Sequence, residues 1–192
     1  MIRAAKRWEA SVKNHFDFLT DYGFRFDHVE HEWWATTAVY LSAGLGVEVT
    51  RSVEFDRVEI NLLRVVERQA PEQEVWVTDR PINRVLLDNV LEARGSDLLG
   101  QLPTGLSRPV VEEQLRLYAE LLRTAVPDFL TGSDAALVDG ERVIRERVSA
   151  NPQEMTIWLP DDASEADEAR ARAEAERLNP PEVRVVVRRY AR

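Results

Sequence analysis

Residues 15–66 read HFDFLTDYGFRFDHVEHEWWATTAVYLSAGLGVEVTRSVEFDRVEINLLRVV. The segment begins as the end of a helix and stops at Gly23, a residue that tolerates positive φ after a helix. It continues as alternating apolar and polar residues, and this period of two predicts strands. The connections between the predicted strands are too short for helical crossovers, so neighbouring strands should pair antiparallel. One face of this meander is apolar and should lie against helices.

The alternation places four strands in the meander. They are predicted at residues 24–30, 33–41, 47–53 and 58–62, with a turn at Gly44-Leu45-Gly46. In the first of them, Phe24, Phe26 and His28 should share one side. Residues 75–77 are a candidate fifth strand at the edge of the sheet.

Apolar periodicity predicts helices on both sides of the meander. The first covers residues 4–21, and the second has Pro81 in its first turn and a stripe of Ile82, Leu86 and Val90. The third follows a Ser107 N-cap with Pro109 just inside, and its apolar face holds Val111, Leu115, Tyr118 and Leu122. Pro127 should kink or end this helix.

Residues 133–148 allow two structures. Leu137, Ile144 and Val148 fit a helix, whereas Asp139-Gly140 between two valines would fit a hairpin turn. We favour the helix.

The last forty residues predict a strand, a helix and a strand. The strands are expected at residues 154–159 and 183–187, and the helix at 163–178, with Asp162 and Glu165 as its cap and N3 acid. This order predicts a parallel pair with a right-handed crossover, which should extend the main sheet or cover one of its faces. The predicted fold class is α+β: an antiparallel β-meander of four or five strands packed against helices, with a C-terminal β-α-β extension. The main domain is expected to span residues 1–149, with the extension, residues 150–192, packed on it.

Composition excludes several classes of protein and of site. The 34 acidic and 25 basic residues give a net charge of −9, which argues against a nucleic-acid binder but allows a basic partner. There is no cysteine, so disulfides and thiolate metal sites are excluded. We see neither a secretory apolar segment nor a run of the ~18 apolar residues that cross a membrane. We therefore expect a cytoplasmic protein with no membrane partner.

The clustered ionisable side chains lie in Asp27-His28-Val29-Glu30-His31-Glu32. Imidazole and carboxylate ligands suit zinc, manganese or iron, but the spacing is not the i, i+4 spacing of a helical two-histidine site. In a strand, His28 and His31 point to opposite faces. A polar hairpin connection is the favoured interpretation, with no metal and no cofactor.

Trp33 and Trp34 follow this acidic segment directly. Consecutive strand residues face opposite ways, so one tryptophan should enter the core and the other should be exposed. An exposed tryptophan among carboxylates would anchor a protein partner and steer a basic one towards it. The predicted partner-binding residues are Asp27, Glu30, Glu32, Trp33 and Trp34.

The chain shows no recognisable catalytic motif. Gly-x-Ser-x-Gly is absent, and Gly44-Leu45-Gly46 lacks the lysine and the helix that a phosphate loop needs. We therefore predict no catalytic residues and no enzymatic activity.

A longer pattern resembles a known group of proteins. Phe16-x-Phe18-Leu19-x-x-Tyr22-Gly23-Phe24, the strands Val47-x-Val49 and Val58-x-Ile60-x-Leu62, and a late Phe129-Leu130-Thr131-Gly132 resemble a loose group of uncharacterised bacterial proteins, many of them actinobacterial. Some members are counted among the immunity proteins of polymorphic toxin systems. The resemblance covers about residues 8–133 and implies a non-enzymatic protein that binds and blocks a toxin. The matching positions are structural, so no functional residues are carried over.

These observations leave three hypotheses. The first is an immunity-type protein that inhibits a basic toxin. The alternative is a structural or regulatory subunit of a larger bacterial assembly, in which the C-terminal strands or helix dock on a partner. The third is an enzyme or metal protein that uses residues 27–32.

Overall fold

The computed structural model describes residues 2–71, 77–78, 80–96, 98, 100, 102–151, 153–160, 163–181 and 183–190. Within these residues, five strands form one antiparallel sheet in chain order, here called the main sheet, and two form a parallel pair. The predicted α+β class is confirmed. The strands are β1 Arg25–His31, β2 Ala35–Leu41, β3 Leu45–Ser52, β4 Arg57–Arg64, β5 Arg84–Leu86, β6 Glu154–Pro160 and β7 Arg184–Tyr190. The helices are α1 Ile2–Phe16, α2 Leu87–Ala93, α3 Arg108–Ala125, α4 Pro127–Leu130, α5 Ala135–Ala150 and α6 Glu165–Leu178.

The centre of the main sheet forms the core. Val47 and Val49 of β3 pair with Leu62 and Ile60 of β4, and all four side chains are fully buried. Helices α1 and α3 pack against this face. The predicted apolar face of the meander, covered by helices, is therefore confirmed.

Strand β1 departs from simple alternation. Phe26 pairs with Tyr40 but His28 pairs with Val39, so a bulge at Asp27 shifts the register. Because Tyr40 and Val39 face opposite sides of the sheet, His28 lies on the side opposite Phe26. The prediction that Phe24, Phe26 and His28 share one side was wrong for His28.

The fifth strand lies where a helix was predicted. Residues 84–86 extend the sheet, with Val85 opposite Leu62, and α2 begins only at Leu87. The backbone hydrogen bonds between residues 84–86 and β4 stabilise a strand here, although Ile82, Leu86 and Val90 have the spacing of a helix. The predicted edge strand at 75–77 falls largely outside the described residues.

The helix predictions beside the meander hold with two corrections. Helix α1 ends at Phe16 and residues 17–22 form a 3₁₀ helix, which Gly23 closes at φ 81°. Helix α3 has the predicted position and buried face, and it ends before Pro127. The predicted Ser107 N-cap makes no side-chain hydrogen bond to the helix.

Gly140 is the residue that made both a helix and a hairpin turn compatible with residues 133–148. The segment is helical, as favoured, and Gly140 lies in the middle of α5 instead of in a hairpin turn. A Cβ atom at this position would meet Val90 Cγ2 at 2.9 Å, and it would lie closer still to Val85 Cγ1. The glycine is thus required for close packing of α5 on β5 and α2.

Arg94 joins the helices that follow β5. Its guanidinium donates two hydrogen bonds of 2.8 Å to the Asp128 carboxylate, one of 2.9 Å to Asp139 and one of 2.7 Å to the Ala125 carbonyl. One arginine that follows α2 therefore makes hydrogen bonds to the end of α3, the start of α4 and the first half of α5. Hydrogen bonds of this bidentate, charged type are the strongest that side chains form.

The chain divides into two compact units. Unit 1 is Met1–Gln73 with Ile82–Val143, and unit 2 is Glu74–Pro81 with Ile144–Arg192. The division falls inside α5, so the C-terminal unit includes part of that helix and a segment that precedes β5.

Unit 2 is organised as a β-α-β element. Strands β6 and β7 are parallel, as predicted, with Met155 opposite Val185. Among the described residues they pair only with each other, so the first of the two expected arrangements, extension of the main sheet, does not occur. The second, coverage of one of its faces, stays a prediction. Helix α6 starts at Glu165, and Ser164 and Asp167 form its capping box in place of the predicted Asp162 and Glu165, of which Asp162 lies outside the described residues.

No helix in the described part of the chain combines the length and the hydrophobicity needed to cross a membrane.

Replacing Gly140 by alanine should destabilise unit 1. Overpacking costs about 1–3 kcal/mol, while alanine gains ~1 kcal/mol over glycine in a helix. The net decrease in the free energy of unfolding should be measurable by urea unfolding. Gly44→Ala is the matched control, because Gly44 has no atom within 4 Å of an added Cβ. A Gly140→Ala protein as stable as the wild type would contradict the close packing of α5.

Candidate functional site

Two turns of the main sheet lie at the same end. The β1–β2 turn contains Trp33 and Trp34, and the β3–β4 turn covers residues 53–56. An antiparallel meander returns alternate turns to one edge. A hydrogen bond of 2.8 Å from the Val53 N–H to the Trp34 carbonyl joins the two turns. Side chains from both turns therefore contribute to one surface.

The two tryptophans have different environments. Trp33 is 93% exposed, whereas Trp34 is half-buried and lines a cavity on the sheet. Both precede β2, which begins at Ala35 and not at Trp33 as predicted. The turn therefore decides which tryptophan faces solvent.

The β3–β4 turn adds two apolar side chains that the sequence interpretation missed. Val53 is 58% exposed and Phe55 is 57% exposed. The predicted strands at residues 47–53 and 58–62 place Val53 at the end of a strand and leave residues 54–57 as the connection between the two. The signal available was an aromatic residue between Glu54 and Asp56, where a short polar turn needs none.

Carboxylates accompany these apolar side chains. The exposed acids of the two turns and of the end of β1 are Glu30, Glu32, Glu54 and Asp56. We call these four acids with Trp33, Val53 and Phe55 the hairpin-end surface. Of the predicted partner-binding residues, Glu30, Glu32 and Trp33 belong to it. Asp27 is exposed too. It precedes Glu30 by three residues on β1, or about 10 Å at ~3.3 Å per residue, and is joined to Glu30 through His28.

His28 bridges two of these acidic residues. Its Nδ1 lies 2.6 Å from Asp27 Oδ2 and its Nε2 lies 3.2 Å from Glu30 Oε1. Partial burial acts to lower the pKa of His28, but the hydrogen bonds and charges of Asp27 and Glu30 outweigh it and raise the pKa above the ordinary value of 6.5. The protonated ring can donate to both carboxylates. The stability it contributes is present below pH 6.5 and is lost as the pH rises through the raised pKa.

A cavity of about 350 Å³ lies on the face of the main sheet opposite α1 and α3. We call it the acidic cavity. On β3, Glu48 lines this cavity, whereas its neighbours Val47 and Val49 point to the opposite face, towards the helices. It is lined by His28, Glu30, Glu32, Trp34, Glu48 and Arg84, among others.

Glu48 is the unusual group in the acidic cavity. The side chain is buried on the central strand, its Oε1 pairs with Arg84 Nη2 at 3.0 Å, and its Oε2 has no hydrogen-bond partner. Burial raises the pKa of Glu48, while the positive charge of Arg84 opposes the rise.

The structure provides acceptors and an apolar contact at this site. Among the described residues, no three histidine, aspartate or glutamate side chains form a group that could hold a metal ion. The arrangement of carboxylates around an exposed tryptophan suits recognition of a cationic surface.

Comparison of the chain with protein-family models, with curated proteins and with solved structures finds no match. The resemblance to the immunity-type group therefore stays a prediction.

Removing the Asp27 carboxylate should lower the pKa of His28. The variant Asp27→Asn loses both a charged hydrogen bond and a negative charge next to the ring. The pKa can be followed by NMR titration of the His28 ring protons. Glu54→Gln removes an exposed carboxylate from the other turn and should leave the His28 pKa unchanged. An equal pKa in Asp27→Asn and wild type would contradict the Asp27–His28 pairing.

Proposed function

We propose that this chain is a non-enzymatic protein-binding protein that recognises a basic partner through the hairpin-end surface. The immunity-type function, inhibition of a basic toxin, is the specific form of this proposal that the sequence resemblance supports.

The observation that carries the proposal is the 93% exposure of Trp33. A tryptophan in solvent leaves a large apolar area unburied, at roughly 25 cal/mol per Å². Burying such a side chain against a partner recovers this free energy, and tryptophan is enriched among the residues that dominate binding. Val53 and Phe55, exposed at the same end of the sheet, provide further apolar area.

Charge selects the partner. Glu30, Glu32, Glu54 and Asp56 surround the apolar residues, and the whole chain carries a net charge of −9. A protein with a basic surface would be attracted over long range and oriented on approach. Arginine or lysine side chains of such a partner would find acceptors in these four exposed carboxylates.

The alternative, a subunit of a larger assembly, is favoured by unit 2. Within the described residues, β6 and β7 form a sheet of their own, and each strand has an edge that no described strand covers. Open edges can accept a strand from a partner. In this case binding would depend on unit 2 and not on Trp33.

The double variant Trp33→Ser/Phe55→Ser should lose its partner. Tagged wild-type protein and variant are used for affinity purification from the native cell extract, and the affinity of the recovered protein is then measured with purified components. Loss of a central aromatic side chain typically costs ~2 kcal/mol or more of binding free energy, so the affinity should decrease at least tenfold. Raising the salt concentration should also weaken binding, because the charges at the rim are exposed.

Val138→Ser is the matched control, because Val138 is an exposed apolar residue that belongs to helix α5 and not to either turn of the hairpin-end surface. Its partner binding should equal that of the wild type. Co-expression separates the two hypotheses: an immunity-type protein suppresses the toxicity of its partner, and Trp33→Ser/Phe55→Ser does not. A partner retained by the double variant, or a multi-subunit set retained through unit 2, would contradict the proposal.

A further inference from the structure

A second cavity lies on the helix-covered side of the main sheet. Its volume is about 670 Å³, within the range of small-molecule sites of roughly 300–1,000 Å³. Its lining comes from α1, from the end of β3 and from the start of α3. We call it the basic cavity for the arginines described next.

Three arginines line this cavity: Arg7, Arg51 and Arg108. Among the described residues, none of the three is engaged in an ion pair. Other arginines of unit 1 are paired, for example Arg57 with Glu59 and Arg94 with Asp128. In a chain with a net charge of −9, three unpaired arginines around one cavity form a local centre of positive charge.

The carboxylate in the lining, Glu112, is already engaged. It accepts hydrogen bonds from Ser11 Oγ at 2.7 Å and pairs with His15 Nε2 at 3.0 Å. The hydrogen bond from Ser11 and the contact with His15 lower the pKa of Glu112, although slight burial opposes them. The charge of Arg108 lowers this pKa as well, so Glu112 offsets part of the positive charge of the lining, which still holds three arginines against one carboxylate.

Buried donors without partners lie at the same place. Trp8 is 95% buried and lines the cavity, and its indole N–H has no hydrogen-bond partner. Arg51, which also lines the cavity, is half-buried, and its buried Nε–H has no partner either. Buried donors are nearly always satisfied in native proteins, so two orphans beside one cavity point to an acceptor that binds there. The positive end of α3 begins at Arg108, next to a Ser107 that does not cap it.

The cavity also has apolar walls. Trp8, Leu106 and Val111 lie beside the arginines. A bare inorganic ion would leave these walls uncovered, whereas a molecule with an organic part would fill them.

We propose that the basic cavity binds a small organic anion, whose phosphate or carboxylate group pairs with Arg51, Arg108 and Arg7 and whose apolar part packs against Trp8. This site lies on the face of the sheet opposite the acidic cavity and does not depend on the proposed partner surface.

Titration calorimetry with phenyl phosphate, benzoate and inorganic phosphate tests the proposal, with the Trp8 indole N–H signal followed by NMR. Phenyl phosphate or benzoate should bind and shift the Trp8 signal, and should bind more tightly than inorganic phosphate. Comparison of phenyl phosphate with benzoate decides between the two anionic groups. Failure of both organic anions to bind, or equal affinity for inorganic phosphate, would overturn the proposal.

The variants Arg51→Gln and Arg108→Gln should each weaken binding about tenfold or more, as expected for loss of a charged hydrogen bond to the anion. Arg7→Gln provides a variant at an exposed position of α1 that is not expected to affect folding. Arg116→Gln is the matched control, because Arg116 lies on the same helix α3 and pairs with Glu113 and Glu120. Binding that is unchanged in all three cavity variants, or equally weakened in Arg116→Gln, would show that the arginines do not form the site.

Discussion

The central strand β3 is covered on both faces, and much of unit 1 follows from this constraint. One face carries Val47 and Val49 into the core beneath α1 and α3. The other places Glu48 in a buried position, where an unpaired charge would cost several kcal/mol. Arg84 of β5 supplies the compensating charge, with its Nη2 at 3.0 Å from Glu48 Oε1. The same nitrogen donates a hydrogen bond of 2.7 Å to the Pro71 carbonyl. The buried carboxylate thus links the centre of the sheet to its edge and to the segment before that edge.

The meander then determines where recognition can occur. Because its strands follow one another in order, the β1–β2 and β3–β4 turns meet at one end, and two short polar turns become one surface with Trp33, Val53 and Phe55 exposed. Alternation along β3 separates the two cavities by sign of charge. Glu48 faces the acidic cavity and Arg51 faces the basic one. A chain with a net charge of −9 therefore has one cavity whose charged side chains are mainly carboxylates and another lined by three arginines and one glutamate.

The elements that the sequence predicted well are those whose signal is local and repeated. The buried face of α3 and the four strands of the meander follow from periodicity over several residues, and the parallel pairing of β6 and β7 follows from the strand-helix-strand order. The failures are single-residue events or distant pairings. The bulge at Asp27 moves the His28 side chain to the opposite face of the sheet. Strand β5 forms because residues 84–86 pair with β4, although the apolar spacing of this segment predicts a helix. The cap at Ser164 in place of Asp162 is a choice between neighbouring residues that are all good caps.

By itself, the sequence determined the α+β class, the antiparallel meander and the acidic character of the residues near Trp33. These depend on hydrophobic period, chain connectivity and composition, which are properties of consecutive residues. Only the tertiary structure decided that Trp33 is exposed and Trp34 half-buried, that Phe55 joins the same surface, that Gly140 is a packing site in α5, and that three arginines from distant segments line one cavity. These features depend on contacts between residues far apart in the chain, and neither spacing nor composition encodes which distant side chains will meet.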